Sequence, residues 1–183
     1  MKKRYGDFIQ TYSGIKFYPF DPKIEEIKLC DIIHALSFIC RFVGHSQYFY
    51  SVAQHSVLVA EKCPKPYKMY GLLHDAAEAY ISDIAHPIKR NKMFQPVREL
   101  ENNLLDLIFK NFNVVRTKES DEIIKNIDKR MLYTEKNFLM KDNIPWGKNN
   151  ENAYQPFDDI KIIPWDPEKS QLEFYKLFSE LYF

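Results

Sequence analysis

The chain has 183 residues, enough for one domain with a sizeable buried core. Hydrophobic residues make up 45% of it, which excludes a disordered polymer. Its 26 basic residues nearly cancel 25 acidic ones for a net charge of +1, so the long-range field expected of a general nucleic-acid binder is missing, although a local basic pocket is not excluded.

The N-terminal stretch MKKRYGDFIQ has basic residues but no following apolar run, and so does not read as a secretory signal. No apolar run anywhere reaches the roughly 18–20 residues needed to cross a bilayer. Residues 8–20 alternate aromatic and polar side chains around Ser13-Gly14, the pattern of a short hairpin. Asp31 is placed to cap a helix that carries Ile32, Ile33, Leu36, Phe38 and Ile39 and runs to about Val43, where Gly44 stops it. A second helix is expected from Ser51 to Cys63-Pro64, and a third from beyond Pro66 to about Ile81. Pro87 is expected in a loop, and Pro96 in the first turn of a helix over 96–112. Residues 121–140 form the longest uninterrupted amphipathic stretch. Residues 141–166 turn to Asn, Pro, Gly and Trp and read as an irregular surface loop. A last helix from Asp166 to Leu181 would present Leu172, Phe174, Tyr175 and Phe178. Cys30, Cys40 and Cys63 are odd in number and form no CxxC pair, as expected of idle thiols in a reducing cytoplasm. The expected fold is one mostly α domain, a helical bundle with a short N-terminal β-hairpin.

Polar residues in apolar places carry the functional signal. His55 lies three residues after Val52 and four before Val59, on their face of the second helix. Alone, that fits a hydrogen-bonded core histidine as well as a ligand. In Leu72-Leu73-His74-Asp75-Ala76-Ala77-Glu78, His74 and Glu78 stand one turn apart with Asp75 beside them. An adjacent His-Asp pair offers one nitrogen and one oxygen to the same divalent ion. On the fifth helix Asp128 and Glu135 fall in the apolar stripe of Ile124, Ile127, Met131 and Phe138. A carboxylate facing a core needs a cation, hydrogen-bond donors or a proton. A metal would satisfy Asp128, and so would a salt bridge to a neighbouring helix.

Three inward-facing sites on separate helices are how bundles build metal centres. The spacing of His55, His74-Asp75 and Asp128 resembles the HD-domain phosphohydrolase superfamily. The strings HALSFICRFVGH, FYSVAQHS, GLLHDAAEAYISDIAHPIKR and IDKRMLYTE are similar to a subgroup of small HD proteins of phages and prophages. That subgroup includes phage dATP triphosphohydrolases and is related to bacterial 5′-deoxynucleotidases.

The resemblance implies a single HD-domain bundle that assembles as a dimer or hexamer. It also implies one divalent transition metal ion (Co, Mn, Zn, Ni or Fe) on His55, His74, Asp75 and Asp128, with Mg a further candidate at the phosphate tail. Glu78 and Asp83 match acids that handle the attacking water or the leaving group, although Asp83 also fits an ordinary turn residue. Arg41 and Phe42 match an Arg-aromatic pair at the nucleotide pocket, and Lys89 and Lys125 match lysines on the phosphate tail. His45 matches a histidine that braces the site. The implied substrate is a deoxynucleotide: a dNTP, dATP by preference, cleaved to deoxynucleoside and triphosphate, with hydrolysis of a dNMP as the alternative. Neither nucleic acid nor membrane is expected as a partner.

Overall fold

The chain enters through the expected hairpin, in which β1 (Ile9–Gln10) pairs antiparallel with β2 (Lys16–Phe17) and Ile9 faces Phe17. The computed structural model describes residues 4–142, 144–146 and 154–183. Part of the expected loop, residues 143 and 147–153, therefore lies outside the described residues, as do the first three residues of the basic N-terminal stretch.

Phe17 is fully buried and stacks on Tyr80, with ring centroids 4.0 Å apart. Ser13 in the hairpin turn donates its backbone N–H and its hydroxyl to the Asp31 carboxylate, at 2.6 and 2.8 Å. This corrects the role expected of Asp31. Helix α1 (Leu29–Phe38) starts before it, so Asp31 sits in the first turn and ties the hairpin down instead of capping the helix. The same helix ends at Phe38, well short of Val43. Ile39 is already extended there, and Cys40 forms a bridge with Ser51. Arg41–Gly44 then make a 3-10 turn in which Phe42 (φ 57°) and Val43 (φ 55°) both adopt left-handed angles. A non-glycine residue costs about 1–2 kcal/mol there, and β-branched Val43 is an outlier.

Helix α2 (Val52–Lys62) is the centre of the bundle. Ser51 caps it by accepting the Gln54 N–H at 3.0 Å, and Val52–Val57, Val59 and Ala60 are all buried. Around it pack α1, α3 (Lys68–Leu73), α7 (Lys118–Leu139) and α8 (Pro167–Tyr182). Gly71 lets α3 approach closely. A Cβ at that position would fall 2.6 Å from Cys63 Sγ and 3.1 Å from the Ala60 Cα.

The single third helix expected to reach Ile81 is divided into α3 and α4 (Glu78–Ile81). Between them the chain keeps helical angles, but its hydrogen bonds shorten to three-residue steps, such as Ala76 N–H to Leu73 and Glu78 N–H to Asp75, both 2.9 Å. Pro87 is likewise not in a loop but opens the short α5 (His86–Lys89), where its missing N–H is harmless. Helix α6 (Gln95–Asn111) has Pro96 in its first turn, as expected. Helix α7 begins with a reciprocal cap between Thr117 and Ser120 and buries Ile124, Ile127 and Met131. Phe138, expected on that stripe, is 40% exposed because the helix has passed beyond the main core. Asp166 caps α8, which buries Phe174 and Phe178 and leaves Leu172 and Tyr175 exposed. The fold is mostly α with an N-terminal hairpin. Among the described residues no helix is long and apolar enough to cross a membrane, and the three cysteines are free thiols.

Candidate metal centre

Three chain segments converge on one point. His55 comes from the buried face of α2, and His74 and Asp75 from the tightened turns between α3 and α4. His55 Nε2 lies 3.3 Å from His74 Nε2 and 3.5 Å from Asp75 Oδ2, while His74 Nε2 lies 3.3 Å from Asp75 Oδ2. Ligands bonded to one ion at about 2.0–2.1 Å in a tetrahedral arrangement sit about 3.4 Å apart. The triangle of two nitrogens and one oxygen therefore has the size of one face of such a site. These three residues form a group that could hold a metal ion. From α7, Asp128 brings Oδ1 to 3.4 Å from His55 Nε2.

Both histidines are turned with Nε2 inward by bonds on their other nitrogen. His74 Nδ1 lies 2.7 Å from the Gly71 carbonyl oxygen, to which it donates. His55 Nδ1 lies 2.5 Å from Glu135 Oε1. A proton on each Nδ1 leaves the Nε2 lone pair free for an ion, which is how metal-binding histidines are oriented. Glu135 is fully buried and also accepts the Tyr50 hydroxyl at 2.9 Å. Its other oxygen lies 3.2 Å from Arg41, whose guanidinium is in turn 3.5 Å from Asp75.

Without a metal, the charges compensate one another. Burial and Arg41 push His55 down, but Glu135 and the hydrogen bonds to Asp128 and Glu135 outweigh them and raise its pKa to about 9. Burial pushes the Asp75 and Asp128 carboxyls up. The facing histidines and Arg41 reverse this and hold both below the ordinary carboxylate range. Glu78 behaves oppositely. Burial, Asp75 and Asp83 drive its pKa well up against the pull of Lys89 and Arg41. It is buried, its Oε2 has no partner among the described residues, and its Oε1 is 3.8 Å from Lys89. Asp83 is half-buried, and burial raises its pKa as well.

The residues expected at the substrate pocket are placed unevenly. Arg41 is buried and already paired with Asp75 and Glu135, leaving its Nε without a partner among the described residues. Phe42 lies beside it and 6.0 Å from the Trp146 ring. Lys89 lies against the site, but Glu101 of α6 binds its ammonium. Lys125 is exposed and makes no ion pair with a described residue. His45 is exposed at the end of the 3-10 turn. His34 stacks between Tyr12 and Phe38, at 3.8 and 4.6 Å.

Sequence reasoning missed the roles of Glu135, Tyr50 and Glu101. Glu135 carried a signal, since it follows Asp128 by two turns on the same face. Tyr50 and Glu101 carried none. An aromatic before a helix and a charge in the polar face of α6 are both commonplace.

No family model matches the chain. It is 37% identical over 176 residues to the uncharacterized protein YfdR of Escherichia coli K12, a match covering 95% of this chain and 97% of that one. An uncharacterized protein of Rhodobacter capsulatus is 36% identical over 86 residues, 42% of this chain and 44% of its own length. With this level of identity over nearly the whole of both chains, the chain belongs to the YfdR family.

Proposed function

We propose that the chain is a metal-dependent phosphohydrolase acting on deoxynucleotides, in keeping with its resemblance to HD-domain enzymes. One observation carries the reading: two histidines with Nε2 turned inward form a triangle with Asp75 that has the dimensions of a divalent metal site. His55, His74, Asp75 and Asp128 would hold the ion, and a transition metal such as Mn, Co, Ni, Fe or Zn suits this mixture of nitrogen and oxygen donors. A bound ion of this kind polarises phosphoryl oxygens and lowers the pKa of water.

The chain's own residues supply the rest. Glu78, whose proton affinity burial and Asp75 raise, has an unpartnered oxygen and can hold or deliver a proton. Asp83 is a second acid within electrostatic reach of Asp75 and Arg41. Arg41 has a buried N–H without an acceptor and can donate it to a phosphoryl oxygen, with Phe42 beside it to cover a sugar or base. The resemblance, with Lys89 and Lys125 matching lysines on the phosphate tail, implies cleavage of a dNTP to deoxynucleoside and triphosphate. Lys89 is bound to Glu101, which favours the second reading, hydrolysis of a dNMP.

The test is a product assay with deoxynucleoside mono-, di- and triphosphates under several divalent metals. Release of deoxynucleoside with phosphate or triphosphate is expected. Asp75→Ala should abolish both metal retention and turnover, and a metal-loaded variant that stays active would overturn the assignment.

A further inference from the structure

Lys89 and Glu101 are an ion pair that the proposed chemistry does not require. Lys89 belongs to α5 and Glu101 to α6, and both side chains are largely buried, with 22% and 17% exposed. The Lys89 ammonium also lies 3.8 Å from Glu78 Oε1, which puts the pair at the edge of the metal centre on the side of the proposed general acid. Arg41, a buried cation of the same centre, divides its charge between Asp75 and Glu135. Lys125 is exposed, and a solvated lysine contributes little to binding an anion. Neither Lys89 nor Arg41 is therefore free, and Glu78, Asp83 and Glu101 all carry carboxyls on this side.

From this charge arrangement, and resting on the phosphohydrolase reading above, we propose that Glu101 determines specificity. By holding Lys89, it denies extended phosphate chains a counter-charge and selects substrates with a single phosphate. A phosphomonoester brings about two negative charges, which a divalent ion can balance. A longer chain brings more, and its outer phosphates meet the Glu101 carboxylate where a free lysine would otherwise stand. Releasing one lysine charge within reach of the outer phosphates changes their binding by about tenfold.

The experiment compares dAMP with dATP on the full-length protein, with Mn2+ saturating both protein and nucleotide. It measures kcat/KM, and separately Kd by calorimetry with dAMP and a non-hydrolysable dATP analogue. The wild type should prefer the monophosphate, and Glu101→Gln should reduce that preference by about tenfold in both measures. The double variant K89M/E101Q should lose the gain, because no freed lysine remains. An unchanged preference in Glu101→Gln, a wild type that prefers the triphosphate, or failure to bind either nucleotide would each overturn the proposal. If the Kd values shift as expected while no nucleotide is turned over, the specificity role of Glu101 stands and the hydrolase reading alone fails.

Discussion

Glu135 illustrates how much a proposed metal ligand depends on what lies behind it. Its carboxylate fixes the His55 ring from one side, while Tyr50 and Arg41 fix the carboxylate from the other. Glu135→Gln keeps the shape but replaces the charged acceptor. It should weaken metal binding by roughly 10–100-fold, measured by competition with a chromogenic chelator. His55, His74 and Asp75 were legible in the sequence because each interrupts an apolar pattern. The Glu135–His55 contact was not, because its partners are 80 positions apart and only packing α7 on α2 brings them together. The Lys89–Glu101 pair was illegible for a related reason. Both residues look like solvated charges until α5 folds against α6.

Among the elements, α2 and α3 have the closest dependence on each other. Gly71 admits α3 to the backbone of Ala60, and its carbonyl orients His74 one turn later. Gly71→Ala would drive a methyl group into Cys63 Sγ and Ala60, a buried wall with little room to give. A loss of about 1–3 kcal/mol is expected by urea unfolding, partly recovered when Cys63→Ala is added. Helix boundaries were readable wherever a cap decided them, as Ser51 and Asp166 do. They failed where tertiary contacts decided. Asp31 went to the hairpin, and the third helix tightened where His74 and Asp75 must both face inward.

At the scale of the whole molecule, the proposed ligands come from α2, the α3–α4 junction and α7, so an ion held by them would join parts of the bundle that are distant in sequence. Chelation should therefore lower Tm, and the loss should shrink as free metal falls toward its dissociation constant. The metal-free chain should also respond to pH in one direction. His55 has a folded pKa of about 9, above its ordinary 6.5. The stability it contributes is fully present below pH 6.5 and is lost as pH rises through about 9. Thermal melts of the metal-free chain across that interval should fall with pH, whereas metal-loaded protein should be nearly flat because the ion has displaced the proton.

For the proposed phosphohydrolase, the left-handed pair at Phe42 and Val43 would set a choice between durability and rate. Val43 is 58% exposed and has little packing to lose, so Val43→Gly should make the fold about 1 kcal/mol more stable by thermal or urea melting. The bent main chain also seats Arg41 between Asp75 and Glu135, and a glycine two residues on would let that seat wander. On the proposed phosphohydrolase reading, the sturdier protein should turn over more slowly. That would make the bend a place where selection has kept tension in the backbone because the chemistry uses it.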